Sequence, residues 1–167
     1  MIHILYNKNI LTILKLNTRE ILVAYVSEIY ICKVKKQPRI EIESGFFIEN
    51  FGLEGDIYSK MGTEKQVTLF FDESRDLLEK EPYSGLCFSR FLETIRIGGM
   101  GAENLMAGTE IQIGDAVFIV SNKKKKCYPE CRIIQDKRVC ALSKDVRFCK
   151  VLRSGNISRG DNIKLLN

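Results

Sequence analysis

The sequence has no tryptophan, only three prolines, and one histidine, His3. With so little histidine, nucleophilic catalysis by a Ser–His–Asp or Cys–His arrangement is not expected. No run approaches the roughly 20 apolar residues of a membrane-spanning helix. The apolar start of the chain is interrupted by Lys8, Lys15 and Arg19, which is unlike a signal peptide. We therefore expect a cytoplasmic protein without a membrane partner.

The composition is that of an ordinary globular protein, with 45% hydrophobic and 28% charged residues in a chain of 167. This length fits one domain. We expect a domain over residues 21–167, with residues 1–20 as a lead-in that either adds a strand or is poorly ordered. Charge is uneven: residues 1–120 carry a net charge of −4, whereas residues 121–167 carry +9. The basic last third predicts attraction of phosphate, nucleic acid or an anionic cofactor.

Short apolar runs separated by frequent turns indicate β structure. Residues 66–71 are typical of a buried strand, and the Gly-Asp pairs at residues 114–115 and 160–161 each predict a hairpin. One helix is predicted at residues 73–80, with Leu77 and Leu78 facing the core. The pattern predicts a mostly β fold, a small closed or partly closed β-barrel with a few short helices.

Six cysteines in a reducing compartment suggest metal or sulfur chemistry rather than disulfides. Cys127 and Cys131 follow the lysine run at residues 123–126 and precede Arg132. Nearby cations lower the pKa of a thiol, and the thiolate is the form that attacks, carries sulfur or binds metal. These two cysteines are therefore our candidate catalytic and metal-binding residues.

Other interpretations of the cysteines remain open. The lysine run could be a solvated surface beside space-filling cysteines. A structural zinc site is a further possibility, although its spacing is poor; its ligands would be Cys127, Cys131, Cys140 and Cys149. The cysteines inside apolar runs are expected to fill space; they are Cys32, Cys87 and Cys149.

Several segments, taken in order, carry a family resemblance. They are Gly-Leu-Glu-Gly-Asp at residues 52–56, Lys-Gln-Val-Thr-Leu at 65–69, Arg-Phe-x-x-Thr-Ile at 90–95, the two Gly-Asp pairs, and Cys-x-x-x-Cys at 127–131. This ordered set, over about residues 23–165, resembles a MOSC domain, the module named after the C-terminal part of molybdenum-cofactor sulfurase. The resemblance implies a largely β barrel with short helices. It also implies sulfur transfer to the molybdenum cofactor (molybdopterin), or its binding by a domain that reduces N-hydroxylated compounds.

By this resemblance, Cys127 or Cys131 is a sulfur carrier or a molybdenum ligand. A group of basic and polar side chains is expected to bind the anionic pterin: Arg90, Thr94, Lys65, Lys126 and Arg132. We also expect at least one of the two cysteines to be solvent-reachable, in a cleft near Arg90, and to have a lowered thiol pKa.

The sequence departs from the family pattern at three positions. Thr94 replaces the usual asparagine, while Tyr58 and Tyr128 replace histidines of many small members and so remove plausible proton donors. Pyridoxal phosphate is not expected on this chain, so sulfur would come from a partner protein, and a molybdoenzyme is another possible partner. The predicted function is that of a molybdenum-cofactor-associated sulfur carrier, sulfurtransferase or reductase. Alternatives are a non-catalytic cofactor-binding or delivery module and, less favoured, a basic nucleic-acid-binding barrel.

Overall fold

The computed structural model describes residues 23–80 and 85–166. The predicted lead-in at residues 1–20 and its histidine lie outside the described residues. Within the described ranges, no helix is long and apolar enough to cross a membrane.

The described chain is mostly strand. In chain order the strands are β1 (Tyr25–Ile31), β2 (Ile40–Ile42), β3 (Ser44–Ile48), β4 (Gly52–Leu53), β5 (Val67–Phe71), β6 (Ile95–Gly98), β7 (Glu110–Ile113), β8 (Ala116–Val120), β9 (Arg147–Arg153), β10 (Gly155–Ser158) and β11 (Ile163–Leu165). The helices are α1 (Asp72–Lys80), α2 (Arg132–Gln135) and α3 (Ala141–Asp145), with a 3-10 turn at Ala102–Asn104.

Eight strands form the main sheet, in the order β11-β7-β8-β9-β5-β6-β1-β2, and β10-β3-β4 form a small second sheet. The main sheet is an open, curled half-barrel. Strand β11 at one edge of this sheet approaches β1 near the other edge: Ile163 N donates a 2.8 Å hydrogen bond to Ala24 O, directly before β1. The prediction of a mostly β, partly closed barrel with a few short helices is confirmed.

The parallel pair β5–β6 decides where the site lies. Parallel strands need a crossover connection, whereas the other pairs of both sheets are antiparallel. Here α1 and the loop at residues 85–94 supply that crossover. The loop carries Arg90 across the outside of the sheet, next to the chain that leads into α2. The predicted strand at residues 66–71 is confirmed as β5.

The two predicted hairpins have different outcomes. Strands β7 and β8 pair around the turn at Gly114, which has φ +54°. The hairpin predicted at residues 160–161 is wrong, because β10 pairs with β3 and β11 pairs with β7. The backbone of that turn bonds to β1 instead: Gly160 N donates to Val26 O, and Val26 N donates to Asp161 O. The turn therefore joins two sheets.

Two apolar clusters hold the fold together. One fills the half-barrel and includes the edge-to-face ring pair Phe47 and Phe118, with centroids 5.6 Å apart. The other lies outside the sheet, where α1, α2 and α3 cover β5, and it contains Leu78 and Cys131. The expectation for Leu77 is wrong, since it is 56% exposed. Successive helical residues point about 100° apart, so only one of two neighbours can face this core.

Candidate functional site

A cleft of about 530 Å³ opens on the outside of the sheet, between the crossover loop and the segment leading into α2. Its lining is largely basic and apolar: Leu86, Cys87, Arg90, Phe91, Lys125, Lys126, Tyr128 and Glu130. Arg90 and Lys126 are exposed, and neither side chain forms an ion pair within the described ranges. The cleft therefore presents unpaired positive charge beside aromatic surface, and Glu130 is the acidic residue among the described part of its lining.

The cleft continues past Arg90. Two further cavities, of about 290 and 540 Å³, share this arginine. The smaller is also lined by Arg39, which pairs with buried Asp56, and by Arg75, which pairs with buried Glu93. Arg90 thus lies midway along an extended basic surface, open to an anionic molecule on either side.

Behind the cleft lies a small inner cavity of about 10 Å³, with roughly room for one water molecule. Four cysteines line it: Cys87, Cys127, Cys131 and Cys140. We call this space the cysteine cavity. The boundary between the cleft and the cysteine cavity is formed by the residues that line both: Leu86, Cys87, Lys125 and Tyr128.

The cysteine cavity does not support the zinc alternative. Cys149 lies on β9 and belongs to the core inside the half-barrel, away from the other three proposed ligands. Burial raises the pKa of its thiol, as expected for a space-filling cysteine. Within the described part of the chain, no group of three or more cysteine, histidine or acidic side chains is placed to hold a metal ion.

Cys131 is held by backbone amides. It precedes the first residue of α2 and is only 8% exposed. Hydrogen bonds from the backbone of Leu86, and then of Ile133 and Ile134, lower the pKa of its thiol, and the charge of Lys125 acts in the same direction. Burial opposes this shift. The arrangement therefore favours the thiolate in a position that solvent scarcely reaches.

Cys127 and Cys140, which line the same cavity, differ from Cys131. Cys127 is half-buried, whereas Cys140 is buried just before α3. Burial raises the pKa of the Cys140 thiol, and the charge of nearby Cys127 raises it further. Solvent access and a lowered pKa were expected together at one cysteine of the 127–131 pair. The pKa of the Cys131 thiol is lowered, but this side chain is buried, whereas Cys127 is the more exposed of the two.

The remaining predicted site residues fall into two groups. Arg90 and Lys126 line the cleft. Thr94 is buried, and its hydroxyl accepts a 3.3 Å hydrogen bond from Thr68 N. Lys65 lies over the ring of Phe148, with its Nζ 4.5 Å from the ring centroid.

Arg132 is exposed on α2 and pairs with Asp136 at 3.6 Å. None of Thr94, Lys65 and Arg132 is part of the cleft lining. The two tyrosines that stand in place of family histidines lie along the basic surface. Tyr128 lines the cleft, and Tyr58 lines the cavity shared with Arg90.

Cys87 and Lys125 line the site but were not predicted from the sequence as site residues. Cys87 was expected to fill space inside a strand, but it is half-buried on the turn that follows Gly85. Lys125 Nζ lies 3.1 Å from Cys87 Sγ. The sequence held one indication that Cys87 belongs to the site: it precedes Arg90 by three residues, in a stretch without the alternation of a strand.

The fold and site define a small β-barrel protein with a basic cleft backed by cysteines. Residues 56–164 match the MOSC domain. The chain therefore belongs to the MOSC domain family, which is associated with molybdenum-cofactor sulfurase-like proteins. No curated protein matches the sequence.

Solved structures share the fold. YuaD from Bacillus subtilis superposes with a TM-score of 0.60 at 17% identity, covering 84% of this chain and 94% of YuaD. YiiM from Escherichia coli gives 0.60 at 18% identity, covering 86% and 70%. YiiM from Geobacillus stearothermophilus gives 0.59 at 17% identity, covering 86% and 75%. At these identities the likeness shows the fold alone.

Proposed function

We propose that this chain binds the molybdenum cofactor in the basic cleft and carries sulfur on Cys131 as a persulfide. The observation that carries this proposal is the sulfur of Cys131. It lines the cavity directly behind a cleft lined by unpaired cations, and the backbone amides of Leu86, Ile133 and Ile134 lower the pKa of its thiol. A sulfur carrier needs a thiolate, and an anionic acceptor needs positive charge.

The lining of the cleft fits a pterin cofactor. The cofactor is anionic through its phosphate, and Arg90 can bind a phosphate group with two parallel hydrogen bonds. Lys126 adds a second exposed charge. Phe91 and Tyr128 offer apolar faces for a flat ring. When bound, the cofactor supplies a molybdenum centre that accepts sulfur or undergoes redox change.

The step that this chain performs itself is sulfur loading. The Cys131 thiolate attacks the outer sulfur of a persulfide that reaches the cysteine cavity; the bond between the two sulfurs of that persulfide breaks, and the inner sulfur leaves as a thiolate. No electrons are gained or lost overall. The backbone amides that lower the pKa of the Cys131 thiol favour the thiolate needed for this attack. The sulfur comes originally from a persulfide-bearing partner protein, since pyridoxal phosphate chemistry is not expected on this chain.

A carrier role is favoured over a reductase role. A reductase needs a proton donor beside the substrate, and histidine is the side chain best suited near neutral pH. The two positions at which many small family members have histidine are Tyr58 and Tyr128 in this chain, and both side chains are more than half exposed. A delivery module without sulfur chemistry would use the same cleft, so the experiment must separate cofactor binding from sulfur loading.

Cofactor binding is tested on protein purified from a host that makes the cofactor, by elemental analysis for molybdenum and by pterin fluorescence after oxidation. Lys126→Glu should lower the bound amount, and more so at low salt, because screening weakens charge interactions. Lys124→Glu is the matched control. It makes the same charge change in the same run, but Lys124 lines a different cavity. Equal losses in the two variants, or co-purifying nucleic acid in place of pterin, would contradict the proposal.

Sulfur loading is tested by treating the protein with a persulfide donor and locating the extra sulfur by alkylation and mass spectrometry. Cys131→Ser should lose the label at this position and the carrier activity, whereas Cys127→Ser should keep both. Binding of the cofactor with no persulfide on Cys131 would favour the delivery module.

A further inference from the structure

Cys131 is poorly accessible for a sulfur carrier. It is 8% exposed and lines the cysteine cavity of about 10 Å³, but not the open cleft. A protein donor, or a cofactor in the cleft, cannot touch its sulfur directly. The proposed function therefore requires a route between the cleft and the cavity.

Cys87 is placed on that route. It lines both spaces, and among the residues that the structure describes it is the only cysteine in the lining of the open cleft. The backbone of Leu86, the residue immediately before it, donates to Cys131 Sγ. Cys87 is therefore bonded to the residue that contacts Cys131, and both side chains face the same small cavity.

Lys125 holds the boundary between the two spaces. Its Nζ is 3.1 Å from Cys87 Sγ, 3.4 Å from Lys126 O and 5.9 Å from the centroid of the Phe91 ring. These contacts keep the Cys87 sulfur between the cleft and the cavity. The same ammonium group helps lower the pKa of the Cys131 thiol. The Lys125 ammonium group therefore contacts the Cys87 sulfur and also acts electrostatically on the Cys131 sulfur.

We infer that Cys87 exchanges sulfane sulfur between the open cleft and Cys131, so that the site uses two cysteines in relay. This inference rests on the proposed function, since it assumes that Cys131 carries a persulfide. It assigns a role to a residue that the sequence analysis took to be space-filling.

The exchange balances without an oxidant. In the loading direction, the Cys87 thiolate attacks the outer sulfur of a donor persulfide, and the donor leaves as a thiolate. The Cys131 thiolate then attacks the outer sulfur now on Cys87; the bond between the two sulfurs on Cys87 breaks, and Cys87 returns to its thiolate. Unloading reverses these steps. The lowered pKa of Cys131 suits it as the leaving group during unloading, because a thiol of low pKa leaves faster.

The test compares a bulky and a small donor on the whole protein. Glutathione persulfide is too large for the cysteine cavity, whereas inorganic disulfide is only two sulfur atoms long and needs to place only the transferred sulfur in the cavity. Loading of Cys131 is followed by rapid alkylation and mass spectrometry. With glutathione persulfide, Cys87→Ser should slow loading of Cys131 by about tenfold or more, because the buried sulfur loses its exchange partner. Cys140→Ser, a change in the same cavity at a cysteine to which the proposal gives no role, should load at the rate of the unmodified protein.

Inorganic disulfide separates a relay from a structural effect. Cys131 in the Cys87→Ser variant should accept sulfur from it at a rate close to that of the unmodified protein, which shows an intact site. If both donors are slowed alike, or if glutathione persulfide loads the variant at the normal rate, the relay is refuted. A larger effect of Cys127→Ser than of Cys87→Ser also refutes it. If Cys131 of the unmodified protein accepts no sulfur from either donor, the proposed function itself fails.

Discussion

Glu93 lies beneath the basic surface and is completely buried. Its two carboxylate oxygens accept hydrogen bonds from Arg75 Nη2 and Arg96 Nε. Arg75 also lies over the ring of Phe70, 5.0 Å from its centroid, and lines the cavity shared with Arg90. One carboxylate therefore compensates two largely buried guanidinium groups. We predict that Glu93→Gln, which keeps the shape and removes the charge, destabilises the protein strongly.

The size of the effect follows from what remains after the substitution. Breaking a buried ion pair by removing one partner costs about 3–5 kcal/mol. Arg96 retains a second partner, Glu28, so the main loss falls on Arg75. The lower end of the range, about 3 kcal/mol, is therefore expected. The matched control is Glu28→Gln, because the Glu28 side chain is 25% exposed; pairs near the surface contribute roughly 0.2–1 kcal/mol.

Equilibrium unfolding in urea measures both variants. With a urea dependence of about 2 kcal/mol per molar, the loss at Glu93 lowers the midpoint by about 1.5 M, against about 0.5 M or less at Glu28. This conversion requires that the dependence of the unfolding free energy on urea concentration is the same in the variants and in the unmodified protein. If Glu93→Gln is no less stable than Glu28→Gln, the buried carboxylate does not compensate the two arginines as described, and the reasoning is wrong.

Three further predictions concern the site and the sheets. The Cys131 thiol, with its lowered pKa, should reach half its maximal iodoacetamide rate at a lower pH than the Cys140 thiol, whose pKa burial raises; reversed midpoints would contradict the site description. Gly155→Ala should lower the melting temperature, since its new methyl group would lie 2.3 Å from a backbone carbon of the facing turn; such overpacking costs about 1–3 kcal/mol. Gln66→Leu should cost about 1–3 kcal/mol by removing the acceptor for Val151 N–H, and hydrogen exchange at that amide should accelerate.

Local patterns predicted the elements whose partners are close in sequence. The apolar run of β5 and the hairpin of β7 and β8 were predicted from alternation and a Gly-Asp turn, and both are present. Such elements depend on side-chain faces and turn conformation, which a short stretch of sequence encodes. The same signal was wrong at residues 160–161, because the turn backbone bonds to β1, a strand at the other end of the described chain. Local pattern does not report a long-range partner.

The candidate site divides in the same way. The basic setting of Cys127 and Cys131 is a local property, and the sequence alone singled out that segment and Arg90. Thr94 matched a family segment by position, yet its hydroxyl bonds to the β5 backbone and it does not line the cleft. A match of residue order says which loop carries a side chain, but not which way that side chain points.

The sequence by itself determined the β-rich composition, the basic final third and the family, because these depend on residue types and their order. Only the tertiary structure decided that Cys87 and Lys125 join Cys131 at one cavity, and that Cys149 faces a separate core. The physical reason is the parallel pairing of β5 and β6. This pairing requires a crossover on the outside of the sheet, and the crossover brings Cys87 beside Cys131, which lies far along the chain. The backbone of Leu86 then lowers the pKa of the Cys131 thiol.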